Sequence, residues 1–117
     1  MSEVSHKFPK SNRILKRGDF RRVYDAGRRV QARYFTAFVL ANSGEQARLG
    51  ITATRKTGKA VKRNRARRLL REAFRKNKWI VPHGVDIVIN VKQPLAEASY
   101  CDLEADFIAF LERMAVK

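Results

Sequence analysis

The chain has 117 residues and carries 26 lysines and arginines against 11 aspartates and glutamates, a formal charge of +15 at pH 7. That length suits one domain, and 44% hydrophobic residues are enough for a modest core, so a disordered polyelectrolyte is excluded. A single cysteine, Cys101, excludes an internal disulfide and suits a reducing, cytoplasmic setting. No apolar run reaches the roughly 18–20 residues of a membrane span, and the opening Met-Ser-Glu lacks a hydrophobic signal region.

Residues 1–12 are polar and read as a mobile, basic N-terminal segment, with residues 13–117 as a single domain. His6 has no second ligand at metal spacing and reads as a solvated side chain. A short helix is predicted over residues 18–26, with Asp19 suiting its positive end and Gly27 its stop. Phe20, Val23 and Tyr24 share one face, bordered by Arg17, Arg21, Arg22 and Arg28. Such a face serves either as core packing or as a platform on which unpaired bases stack.

One long strand is predicted over residues 30–41. Ala32, Tyr34, Thr36, Phe38 and Leu40 alternate with Phe35, Ala37 and Val39, so both faces want cover. Asn42-Ser43-Gly44-Glu45 reads as a hairpin turn to a return strand over residues 47–54 that passes through Gly50. Thr57-Gly58 follows, without the Gly-x-x-x-x-Gly-Lys-Ser/Thr pattern of a nucleotide-hydrolysing phosphate loop.

Residues 55–76 hold eleven basic side chains and one acid, Glu72, and so account for +10 of the total. Residues 1–54 add +7 and residues 77–117 subtract 2. Ala66, Leu69, Leu70, Ala73 and Phe74 recur at helical spacing and form an apolar stripe. Asn64, Arg67, Arg68, Arg71 and Arg75 fall opposite, with Arg63 and Arg65 on the flanks. Like charges at i,i+4 cost an isolated helix a few tenths of a kcal/mol each, and a merely solvated face would intersperse glutamates. The arrangement points to a polyanion, whose phosphates release counterions on binding and accept paired hydrogen bonds from guanidinium groups.

Beyond the basic helix, Trp79 reads as a core plug and His83 as a turn residue. Residues 85–91 form a buried β-branched strand, with Asp86 in a turn or paired with an arginine, Lys92 at its end and Pro94 breaking it. In the last helix Ser99 and Asp102 resemble a capping box, and Leu103, Phe107, Phe110, Leu111 and Met114 form its apolar stripe. Asp102, Glu104 and Asp106 suit its positive end; they do not converge on one face as metal ligands would.

Residues 60–75, Ala-Val-Lys-Arg-Asn-Arg-Ala-Arg-Arg-Leu-Leu-Arg-Glu-Ala-Phe-Arg, resemble the signature helix of the bacterial ribonuclease P protein subunit. Phe20-x-x-Val23-Tyr24-x-x-Gly27 is similar to that family's first helix, and Arg48-Leu49-Gly50-Ile51 with Arg55-Lys56 to its second strand and exit. The resemblance covers roughly residues 11–113; Ala66 departs from it, where the family usually has a larger aliphatic residue on the core side. It implies a single-domain α+β sandwich, α-β-β-α-β-α, with a mixed sheet of about four strands like the second domain of ribosomal protein S5. It also implies a left-handed β-α-β crossover.

By the same resemblance Arg55, Lys56, Lys59, Lys62, Arg63, Asn64, Arg65, Arg67, Arg68 and Arg71 would bind the catalytic RNA. Arg13, Phe20, Tyr24, Thr36, Phe38 and Lys92 would bind the 5′ leader of precursor tRNA. Cleavage would belong to the RNA, with Mg²⁺ bound by RNA and substrate; the protein would supply no catalytic residue and no metal site, and need no obligate protein partner or membrane. The alternative from composition is a ribosomal or other structural RNA-binding protein. A DNA-binding regulator lacks the preceding short helix and tight turn, and a membrane-active cationic protein would not carry these strands.

Overall fold

The computed structural model describes residues 12–44 and 46–115. Helix α1 (Arg17–Ala26) is followed by strands β1 (Arg28–Gln31), β2 (Phe35–Ala41) and β3 (Arg48–Thr52), helix α2 (Ala60–Lys76), strand β4 (Val85–Val91) and helix α3 (Tyr100–Ala115). Among the described residues the strands form one sheet in the order β1-β2-β4-β3. β1, β2 and β4 are antiparallel neighbours, while β3 runs parallel to β4, so β3-α2-β4 is the crossover. The mixed four-stranded sheet agrees with the expected fold class.

The sheet is covered on both faces. On one, α2 and α3 bury a core around Phe35, Leu70, Phe74, Ile87, Phe107 and Phe110. On the other, α1 packs Val23 against Val88 and Ile14, with Phe20, Tyr24, Phe38 and Leu40 around them. All five predicted apolar positions of α2 and all five of α3 are buried, Ala66 included. The small side chain of Ala66 belongs to the closed core. The Ser99 hydroxyl accepts from the Asp102 amide at 3.1 Å, as a helix N-cap should.

Three expectations are corrected. The single strand over residues 30–41 is two strands, β1 and β2, joined through Ala32, Arg33 and Tyr34. No glycine or proline marks this connection. It is held from α3, where the Asp106 carboxylate accepts from the amides of Arg33 and Tyr34 at 3.1 and 2.9 Å.

Second, residues 42–45 do not join neighbouring strands, because β4 lies between β2 and β3. Ile87, Val88 and Ile89 of β4 are fully buried, covered by α2 and α3 on one face of the sheet and α1 on the other. Asn42 still makes a turn, its side-chain carbonyl accepting from the Gly44 amide at 2.8 Å; Glu45 lies outside the described residues.

Third, Trp79 is not a core plug but 78% exposed. α2 ends at Lys76, and a 3-10 turn over Lys78–Ile80 shifts the angular phase, so that Val81 fills the core instead. Of the N-terminal segment expected to be mobile, residues 1–11 lie outside the described residues. Asn12 is buried and donates to the Ala47 carbonyl at 2.8 Å.

Candidate nucleic-acid interface

The apolar stripe of α2 fixes its rotation, and the opposite face is consequently held toward solvent. There Asn64, Arg67, Arg68, Arg71, Glu72 and Arg75 line an open groove of about 460 Å³. Its one carboxylate is already engaged: Glu72 accepts from Arg75 Nη2 at 2.6 Å and lies 3.5 Å from Lys76 Nζ. The Arg75 hydrogen bond outweighs desolvation and holds the Glu72 carboxyl below its usual range. Arg67 reaches only the Asn64 carbonyl oxygen, at 3.4 Å, and Arg68 has no ion pair among the described residues. Burial, then the charges of Arg13 and Arg67, push the Arg71 guanidinium below its ordinary pKa. Cations gathered this way are relieved by an anion from outside.

The remaining residues expected at this surface divide. Arg55, Lys56 and Lys59 are exposed ahead of α2, whose first turn carries neither an acid nor a side-chain cap, leaving its positive end open. Gly58 sits there at φ 132°, a conformation that disfavours any side chain, and Lys62 folds over the space a Cβ would take. Lys62 pairs with Glu97 at 3.3 Å, both exposed, a contact that constrains little. Arg63 donates to the Gly58 carbonyl at 3.0 Å. Arg65 donates to the carbonyls of Ala96 and Ala98 at 2.8 and 2.9 Å, which ties α2 to the segment before α3.

The second expected surface lies on the α1 face of the sheet. Phe20 and Tyr24 line a groove of about 390 Å³ with Leu15, Arg17 and Thr52. The Phe20 ring lies where a side chain on Gly50 would be, 2.7 Å from an ideal Cβ, so Gly50 allows α1 to approach. Tyr24 stands edge-on to Phe38 with ring centroids 5.0 Å apart, and its hydroxyl meets Thr52 Oγ1 at 3.0 Å and Asn90 Oδ1 at 2.5 Å. Phe38 thus backs Tyr24. Thr36 opposes Asn90 in the β2–β4 register and donates to Gln31, whereas Lys92 is turned to the Ala32 carbonyl at 2.7 Å.

Arg13 is held beside Leu49 by a parallel bridge. It shares the lining of a small cleft with Phe20 and Arg71, so the two surfaces meet at the β3 edge.

Sequence reasoning missed Leu15, Thr52 and Asn90. The Thr36–Asn90–Thr52 row crosses three strands, and only the sheet register brings it together. The ion-pair cluster at the other end of this face was legible only as an arginine partner for Asp86: the fully buried carboxylate takes Arg48, Arg22 and Asn42 together. Among the described residues no group of three or more His, Cys, Asp or Glu side chains is placed to hold a metal ion, and no helix is long and apolar enough to cross a membrane.

A family model, Ribonuclease P, matches residues 8–115. The chain belongs to this family. The ribonuclease P protein component of Desulfovibrio desulfuricans is 40% identical over 111 residues, covering 92% of this chain and 85% of that one. The Staphylococcus aureus RNase P protein superposes with a TM-score of 0.82 at 31% identity, covering 92% and 98% of the two chains. A second structure from that organism, a mutant with defective mRNA degradation activity, gives 0.84 at 30% identity over 92% of each chain. With the ribonuclease P fold assigned, the α2 ridge and the α1 groove are candidate surfaces open to solvent among the described residues.

Proposed function

We propose that this chain is the accessory subunit of a ribonuclease P holoenzyme in the bacterial cytoplasm, with α2 bound to the catalytic RNA and the α1 groove to the 5′ leader of precursor tRNA. The observation that carries this reading is the arginine groove of α2, whose only acid is already paired. The aromatic groove on the opposite sheet face, meeting it at Arg13 and Arg71, supports the leader as second ligand.

In this reading the protein contributes binding and alignment. Positive charge between two polyanions lowers their repulsion, and a leader held by Phe20, Tyr24 and Thr36 sets the register of the scissile bond. Mg²⁺ bound by the RNA and the substrate would supply the hydrolytic chemistry. A ribosomal or other structural RNA-binding role would need the ridge but not a leader-selective groove.

Reconstitution tests the proposal: the full chain is added to ribonuclease P RNA at low Mg²⁺, and cleavage of precursor tRNA is followed. The protein should raise kcat/KM for leader-bearing tRNA and do nothing alone. Processing by RNA-free protein would move the chemistry into the chain, a possibility that the mRNA-degradation phenotype of the Staphylococcus aureus neighbour makes worth an explicit arm. No effect of the protein in either arm would favour the structural role.

A further inference from the structure

Trp79, the chain's one tryptophan, stands 78% exposed on a hydrogen-bonded turn directly after the arginine helix. The turn is ordered by bonds from the amides of Ile80 and Val81 to the carbonyls of Asn77 and Lys78, at 3.1 and 3.2 Å. Buried Asn77 anchors it through its side chain to the Ala73 carbonyl at 2.8 Å. The indole is therefore presented by a built support. Tryptophan is the largest apolar side chain, and leaving it in water forgoes more burial than any other residue would.

Charge and isolation together select what covers it. Around the turn Arg75 and Lys76 are paired with Glu72, and Glu104 accepts from Asn77 at 3.1 Å, which leaves Lys78 as the cation beside Trp79 with no ion pair among the described residues. The other large exposed apolar residues among those described are Leu15 and Val61. Leu15 lines the α1 groove on the far side of the sheet, and Val61 lies at the opposite end of α2, about 22 Å away at 1.5 Å per residue. Among the described residues, the three large exposed apolar side chains therefore do not join into one patch of the kind that docks proteins or lipids. An exposed aromatic ring beside the unpaired Lys78, four residues beyond the Arg75 that ends the groove, suits a flat ligand attached to a polyanion.

We infer that Trp79 is a stacking site for an unpaired nucleobase of the RNA held along α2, lengthening that interface past Arg75. The inference rests on the proposed binding of RNA by α2. Stacking adds affinity without phosphate neutralisation, because every base offers a π-face, and it leaves the salt dependence to the arginines.

Intrinsic fluorescence reads the site directly, since no other residue contributes indole emission. The full chain is titrated with ribonuclease P RNA transcribed in vitro, and binding is followed in parallel by anisotropy of end-labelled RNA. Trp79 emission should be quenched in step with binding. Trp79→Ala should weaken affinity about five- to 150-fold at an unchanged salt slope, and Trp79→Phe should recover most of it. Saturable binding with unaltered emission would overturn the stacking site while leaving α2 as the RNA ridge. Absence of binding by the wild-type chain would overturn both. A lowered Tm for Trp79→Ala, or a self-associated form that Trp79→Ala disperses, would instead make the indole a structural or dimer contact and refute the inference.

Discussion

Arg48 and Asp86 face each other across the parallel β3–β4 register, and the guanidinium donates to the carboxylate from both Nε and Nη2, at 2.8 and 2.7 Å. Asp86 is fully buried, and Arg22 of α1 and Asn42 complete its shell at 3.0 and 2.7 Å. One carboxylate thus ties α1, the loop after β2 and β3 to the central strand. Its replacement by alanine should cost about 3 kcal/mol, the lower end of the range for breaking a buried pair, because Arg48 keeps some access to water. Urea unfolding of Asp86→Ala against wild type checks this; a loss below about 0.5 kcal/mol would mean that the cluster is decorative.

The same carboxylate predicts an acid response. Burial works to raise its pKa, but the hydrogen bonds from Arg48 and Asn42 and the charges of Arg48 and Arg22 outweigh it, holding the group below the usual carboxylate range. A depressed folded value means that the stabilisation is complete above the unfolded value of about 3.9 and is lost as pH falls through the lower folded one. Stability measured from pH 6 to pH 2 should therefore fall more steeply in wild type than in Asp86→Ala. Parallel curves would place the acid sensitivity elsewhere.

Arg65 and Arg68 should separate by what their loss damages. Arg65 holds the carbonyls of Ala96 and Ala98, so Arg65→Ala should lower stability by about 1–3 kcal/mol whatever it does to RNA binding. Arg68, exposed in the groove, should leave stability within about 0.5 kcal/mol. Thermal melts of the two variants decide, and equal Tm shifts would contradict the division.

For RNA binding, alanine at Arg67, Arg68 and Arg71 together should flatten the plot of log affinity against log salt. Each phosphate contact removed should lower the slope by about 0.7–0.9. Relief of the crowding of Arg71 by Arg13 and Arg67 should keep the triple variant folded. An unaltered slope would show that the groove of α2 is not where phosphates sit.

In the α1 groove, Gly50→Ala should displace the Phe20 ring, which lies 2.7 Å from the new methyl carbon, at a cost of about 1–3 kcal/mol. Tyr24→Phe removes only the hydroxyl shared with Thr52 and Asn90 and should be the gentler change. Both should reduce binding of leader-bearing tRNA more than that of mature tRNA. Equal losses for the two ligands would make this groove a packing feature.

Local periodicity carried much of this protein in one dimension. The stripe from Ala66 to Phe74 names the buried side of α2, and once that side is buried the arginine side has nowhere to go but water. Leu103 to Met114 did the same for α3, and Ser99 marked its start. Each of these depends on neighbours within two helical turns, which is the range over which a sequence states its own geometry.

What lay beyond that range was decided by the tertiary structure. The turn between β1 and β2 has no marker of its own, because its amides are satisfied by Asp106, more than seventy residues away. β4 enters between β2 and β3, an arrangement that local sequence does not state, because a turn signal records a reversal without naming the neighbouring strand. That insertion aligns Thr36, Asn90 and Thr52, and Arg48 with Asp86. Trp79 went outward for the same kind of reason: one change of backbone phase after Lys76 outweighed its apolar character, since burial follows the direction of a side chain as much as its chemistry.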